Sequence, residues 1–238
     1  MTQHILQGRS EDEILWFRRR GFLQAAAAFS AMGGLAAAQA QQRSNIVELR
    51  GDVLLNGERL NAQRTIQTGD SLETGPGSHL VFVIGNSAFQ VRQNSRLVVE
   101  RGATLNTVSV LRMITGAVAS VWGRGTSRQI VTPTLTAGIR GTGVYTEVFP
   151  QQGYRSYFCN CYGTVDVDAG GDKTVSRAEY HQSFWGEVEP KNGRYLTPAR
   201  MINHTDEELE LLARLVNQRT AWQIAGRKGA ADGSGYMK

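Results

Sequence analysis

The chain has 238 residues, is 41% apolar and carries 26 basic against 21 acidic residues. That composition can fill a core, which excludes wholesale disorder, and a mean hydropathy of -0.30 without a long apolar run excludes a bundle of membrane-spanning helices. A net charge of +5 with no run of five or six basic residues leaves little electrostatic footprint for nucleic acid, and 2 cysteines are too few for a disulfide scaffold.

Residues 1–40 read as an export signal. Arg18-Arg19-Arg20 precede Gly21-Phe22-Leu23, an alanine-rich apolar stretch runs to Leu35, and Ala36-Ala37-Ala38-Gln39-Ala40 supplies a small-residue cleavage site. Paired arginines, a spacer and Phe-Leu are the twin-arginine form of such a signal. The expected compartment is therefore the bacterial periplasm. The apolar stretch, about 15 residues, is too short to span a bilayer, so no membrane span is expected after cleavage. The expected division is a signal peptide over 1–40, a β domain over 41–190, and a C-terminal helix with a flexible tail over 191–238.

The middle of the chain reads as short strands. Leu80-Val81-Phe82-Val83-Ile84 is a continuous apolar run, the mark of a buried strand, and after Gly85-Asn86 the stretch Ala88 to Val91 alternates. Leu97 to Val99, Val108 to Leu111 and Ala117 to Val121 follow, the last two around Thr115-Gly116. Ile130-Val131, Val144 to Val148, Tyr157 to Tyr162 and Val165 to Val167 complete the series. Turn signals recurring roughly every 8–12 residues indicate an all-β sandwich, barrel or solenoid. Thr205-Asp206-Glu207-Glu208 is a capped helix start, and Leu209, Leu212 and Val216 recur at helical spacing, which predicts one amphipathic helix from Asp206 to about Ile224.

Few residues carry obvious chemistry. Gly138-x-x-Gly141-x-Gly143 is followed by strand-like Val144 to Val148, so it reads as a tight turn and not as a phosphate loop, which needs a helix N-terminus. The histidines are His4, His79, His181 and His204; no serine sits in a nucleophile elbow, and Asp166 and Asp168 form the nearest acid pair. Arg140, with Arg124, Arg128 and Arg155 near other turns, reads either as an anion patch or as residues serving a solvated face and buried carbonyls. Cys159-Asn160-Cys161 is the sharpest feature. On an extended strand its cysteines share a face with Cα atoms about 6.7 Å apart, the upper edge of what a disulfide bridges. Three readings stay open: a structural or redox thiol pair, the start of a zinc or iron site, or two small buried hydrophobes. Zinc would require two further ligands, and His181 is the nearby histidine by sequence.

Several stretches together resemble a FecR-type domain. They are Gly51-Asp52-Val53 with Asn56-Gly57, Thr68 through Ser78, Gly116-Ala117-Val118, Val131-Thr132-Pro133, and Gly163-Thr164-Val165-Asp166-Val167. The most characteristic is the turn Gly138-Ile139-Arg140-Gly141-Thr142, followed by Val144-Tyr145. The likeness runs over residues 46–188. It implies a mostly β, solenoid-like periplasmic domain. Members of the ferric-dicitrate regulator kind relay a signal from an outer-membrane receptor to a sigma factor, through a cytoplasmic segment and a spanning helix ahead of this domain. This chain carries an export signal there instead. The expectation is therefore an all-β domain, solenoid or sandwich, followed by one amphipathic helix. The expected function is a non-enzymatic module that binds another cell-envelope protein, with no nucleic-acid partner. The alternative is a metal- or redox-responsive protein that uses Cys159 and Cys161.

Overall fold

A computed structural model describes residues 44–125 and 127–228. The expected export signal and the end of the chain lie outside these. Seven short strands come first: β1 (Ile46–Arg50), β2 (Val53–Leu55), β3 (Glu58–Arg59), β4 (Ser71–Thr74), β5 (His79–Ile84), β6 (Ser87–Val91) and β7 (Arg96–Arg101). A long strand, β8 (Val108–Trp122), is followed by β9 (Arg128–Val131), β10 (Thr136–Ile139) and β11 (Gly143–Phe149). A second long strand, β12 (Arg155–Ala169), leads to β13 (Asp172–Ala178), β14 (Gln182–Lys191) and β15 (Arg194–Ala199). Two helices, α1 (Asp206–Leu215) and α2 (Ala221–Ala225), come last among the described residues.

The two long strands organise the rest. β8 pairs with β7 and β9 through its first half and with β6 and β11 through its second. β12 pairs with β11 and β14 through its first half and with β10 and β13 through its second. Each changes direction at a glycine in the left-handed region, Gly116 at φ 78° and Gly163 at φ 101°. Each also changes phase there. On β8, Leu111 and Met113 face the inner core before Gly116, and Val118 and Trp122 face it afterwards. On β12, Phe158 faces inward before Gly163, and Val165 and Val167 afterwards. One extra residue in a strand flips every later side chain to the other face, so these glycines decide what each half-strand buries.

The pairs β8–β9, β9–β10, β10–β12, β12–β11 and β11–β8 close a ring, a five-stranded mixed barrel in which β8–β9 is the parallel pair. The other strands flank it as antiparallel ladders. The fold is mostly β, as the sequence predicts, but it is a barrel and neither a solenoid nor a sandwich. A solenoid stacks its coils in parallel register, whereas here β5–β6, β9–β10 and β11–β12 are antiparallel neighbours.

There are two apolar clusters. The inner one contains Phe82, Phe89, Leu97, Trp122, Ile130 and Phe158. The second lies on the opposite face of the β5–β6–β8–β11–β12 sheet, where Val81, Ala119, Val121, Tyr145, Tyr157, Cys159 and Cys161 meet Leu209, Leu212, Ala213 and Trp222 of the helices. The helical segment thus covers its own β domain. The single helix expected from Asp206 to Ile224 is two. Asn217 takes φ 55°, the Gln218 amide returns to the Ala213 carbonyl at 2.7 Å, and Thr220 caps a new start with its own capping box. No helix among the described residues is long and apolar enough to cross a membrane.

The bend in β8 is testable. A Cβ at Gly116 would overlap atoms of Ser95, whereas one at Gly57, φ 82°, would meet open space. Gly57→Ala should cost about 1–2 kcal/mol, the left-handed penalty alone. Gly116→Ala should cost about 1–3 kcal/mol more, from overpacking. Urea unfolding of both variants measures the difference.

Candidate metal centre

Alternation along the first half of β12 turns Cys159 and Cys161 to the outer face, beneath the helices. Both are free and fully buried, with Sγ atoms 3.7 Å apart. His181 occupies the link between β13 and β14. Its φ of 27° is strained for a residue with a Cβ, and its amide donates to the Cys161 carbonyl at 2.9 Å. That bond holds the turn against β12 and places Nδ1 3.5 Å from Cys159 Sγ. His204 directly precedes Thr205, the N-cap of α1. Its Nε2 lies 3.5 Å from Cys161 Sγ and 3.2 Å from His181 Nδ1. All four donor atoms fall within 4.8 Å of one another, and all four residues are buried.

The far side of each imidazole is also fixed. His204 Nδ1 lies 2.6 Å from the Ile202 carbonyl, which can only accept, so that nitrogen carries the proton. His181 Nε2 lies 2.8 Å from Asp206 Oδ1. Asp206 is held in turn by the Tyr180 hydroxyl at 3.1 Å and Lys228 Nζ at 2.6 Å. His181 Nδ1 and His204 Nε2 therefore face the two sulfurs. Carboxylate and carbonyl partners of this kind set tautomer and ring orientation at metal sites. Tyr145 stacks on His204 with centroids 4.6 Å apart, and Trp222 stacks on His181 at 5.4 Å.

The electrostatics favour positive charge at the centre. Burial opposes a thiolate at Cys159, but hydrogen bonding from Cys161 and the His204 and His181 rings outweigh it and hold its pKa well below the usual thiol value. Burial and the neighbouring Cys159 push Cys161 well above it. Burial alone would lower His181, yet Cys159 and Asp206 push it up to about 9. Asp206 is held far below the carboxylate range, against its burial, by His181 and Lys228. Two sulfurs and two oriented imidazoles around one point, with a carboxylate behind, are a group that could hold a metal ion.

A second buried tie lies one turn along α1. Glu208 accepts the Thr205 amide through Oε2 at 2.8 Å, closing the capping box that the sequence predicts. Its Oε1 accepts from Gln90 at 2.8 Å and pairs with Arg92 on the barrel side. The pair joins residues over a hundred positions apart, and only the cap is legible in the local sequence.

The structure brings Cys159, Cys161 and His181 together and adds His204, which the sequence reading names among the histidines but does not connect to the cysteines. Zinc's demand for a fourth ligand was the available signal, with His79 and His204 the remaining histidines of the β domain and helix. His79 lies elsewhere, 4.0 Å from Glu48. Gly138 lies within β10 while Arg140, Gly141 and Thr142 form the tight turn into β11, and none of the four donates to the cluster. Arg140 pairs with Asp166 there at 2.5 Å. The alternative of an anion patch is not realised by three of the arginines. Arg140 and Arg155 are paired with carboxylates, and Arg128 donates to Ser87, Gly123 and Asn86.

No family model matches the chain, and no curated protein does. Two crystal structures of a candidate anti-sigma factor from Parabacteroides distasonis ATCC 8503, at 1.65 and 2.50 Å resolution, share part of the architecture. Their TM-scores are 0.45 and 0.46, at 10% and 12% identity, over 56% and 58% of this chain. The matched region spans 60% and 61% of those chains. Likeness at that level describes a partly shared fold, and function has to be argued from the site.

Replacing Glu208 by alanine removes the carboxylate partner of a buried arginine and the reciprocal cap. The expected loss is about 3–5 kcal/mol in chemical denaturation. Glu208→Gln should lose less, because the amide oxygen still accepts at one of the two positions that the carboxylate oxygens fill.

Proposed function

We propose that the protein is a non-enzymatic, exported FecR-like binding module built around one zinc ion held by Cys159, Cys161, His181 and His204. The observation that carries the zinc is the spacing of the donors. Tetrahedral zinc with Zn–S of about 2.3 Å and Zn–N of about 2.0–2.1 Å requires ligand separations of about 3.8 Å for two sulfurs, about 3.6 Å for sulfur and nitrogen, and about 3.3–3.4 Å for two nitrogens. The separations are 3.7, 3.5 and 3.2 Å in the same order. A second of the four sulfur–nitrogen pairs, Cys161 with His204, repeats 3.5 Å, and the two remaining pairs, Cys159 with His204 and Cys161 with His181, lie within 4.8 Å.

The same distances favour zinc over iron. A two-iron cluster with this ligand set puts its thiolates on one metal and its imidazoles on the other. Here each sulfur has an imidazole nitrogen 3.5 Å away, which suits a single shared ion. Among single divalent ions, zinc binds such sites more tightly than iron. Four protein ligands leave no open position for a substrate, which supports a structural ion and a protein that performs no catalysis. The redox reading is less favoured. A disulfide needs sulfurs about 2.05 Å apart, and the pair sits at 3.7 Å on a paired strand. The FecR-like stretches and the export signal support a cell-envelope protein as the binding partner.

Elemental analysis and thiol counting on protein isolated without added chelator test the metal. One zinc per chain is expected, with two thiols that react only after the ion is removed. Metal-free protein with two reactive thiols, or a disulfide, would contradict it. Asp206→Asn should weaken zinc binding about 10–100-fold, as loss of an outer-shell partner does, in a competition titration against a chromogenic chelator. A periplasmic pull-down with the mature chain tests the partner, and recovery of no stoichiometric envelope protein would remove that half of the reading.

A further inference from the structure

We propose that the ion is a latch for the C-terminal arm, residues 200–228: with zinc bound the arm is folded onto the barrel, and without zinc the arm is released while the barrel stays folded. This rests on the zinc reading above and adds to it the part of the molecule that the ion controls.

The origin of the donors is the first ground. Cys159, Cys161 and His181 belong to β12 and the β13–β14 link, and so to the barrel and its flanking ladder. His204 alone comes from the arm. The arm also supplies Asp206, which orients His181, a barrel ligand, at 2.8 Å. The cross-tie runs both ways: the barrel's sulfurs hold the arm's imidazole, and the arm's carboxylate holds the barrel's imidazole.

The second ground is that the barrel does not need the arm. The five-stranded ring closes through β8, β9, β10, β12 and β11, and the arm adds only a single bridge residue, Ile202, to the β structure. The helices α1 and α2 have 10 and 5 residues, below the roughly 12–15 at which an isolated helix becomes marginal in water. Their order comes from attachment. Apart from the ion, that attachment includes the Glu208 contacts to Arg92 and Gln90, the Tyr157 hydroxyl between the Arg200 carbonyl and the Ile202 amide, Asn203 bonded to Glu147, Tyr180 bonded to Asp206, and Leu209, Leu212, Ala213 and Trp222 packed on a face of alanine, valine and tyrosine. Binding energy at a site that exists only in the docked state is docking energy.

The third ground is access. The donor residues are at most 1% exposed, and the Trp222 ring covers His181 from the arm side. The ion can leave, and a chelator can enter, only when the arm lifts. Coupling of this kind is reciprocal: whatever the ion contributes to arm docking, arm docking contributes to ion retention. A change in the arm that touches no ligand must therefore change how fast zinc is lost.

The test uses the full chain. Amide hydrogen exchange is compared before and after zinc is removed by chelation, and zinc release to a chromogenic chelator is followed for wild type and for Leu212→Ala, a buried position that donates nothing to the site. Amides of α1 and α2 should exchange at least about 100-fold faster without zinc, while those of β8, β11 and β12 change less than about 3-fold. Leu212→Ala should still bind one zinc and release it at least about 10-fold faster. An arm that stays protected after zinc is removed overturns the latch while leaving the zinc site standing. A barrel that loses protection together with the arm also overturns it, because the ion would then hold the whole fold. Protein that binds no zinc overturns the zinc reading and the latch with it.

Discussion

Two thiols and two imidazoles are buried together around one point, and the rest of the structure depends on how that cluster is held. Burial penalises a thiolate, and each charge that appears in the cluster shifts its neighbours, which is why Cys159 is pulled down, Cys161 up and His181 up. Much of the surrounding structure is arranged to hold that cluster together. β12 presents both sulfurs on one face, a strained residue turns the β13–β14 link inward, and a short segment ahead of α1 delivers the last ring. Asp206 and the Ile202 carbonyl then hold the two rings so that His181 Nδ1 and His204 Nε2 point at the sulfurs.

The barrel is what makes this precise. Gly116 and Gly163 let β8 and β12 belong to two ladders each and reset the alternation halfway. Without the reset at Gly163, the first and second halves of β12 could not both bury apolar residues inside while turning the cysteine pair outward. The outer face is then finished by the arm, whose capping glutamate is also the partner of a barrel arginine. A cap, an ion pair and one member of the cluster lie within five consecutive residues, His204 to Glu208, so the arm's position is determined over a very short stretch.

Much of this was legible in the sequence where the signal is local. The β-rich character followed from alternation and turn spacing, the start of α1 from Thr205 and Glu208, and the shared face of Cys159 and Cys161 from the period of a strand. The tight turn at Gly138 to Thr142 was equally readable. Barrel closure was not, because ring formation depends on which distant strands pair, and the parallel β8–β9 pair leaves no mark in composition. The end of α1 was missed because Asn217 and Thr220 sit inside a continuing apolar period that masks the break. His204 was missed as a ligand because it lies 43 residues from Cys161 in the chain. Only the coordination number of the metal could have called for it.

The central claim is that four named side chains share one tetrahedral ion. X-ray absorption at the zinc edge on the intact protein examines that claim at the atoms concerned. The account predicts a first shell of two sulfurs at about 2.3 Å and two imidazole nitrogens at about 2.0–2.1 Å, with no neighbouring metal. A shell of oxygen and nitrogen alone, or one with a second metal close by, would contradict it.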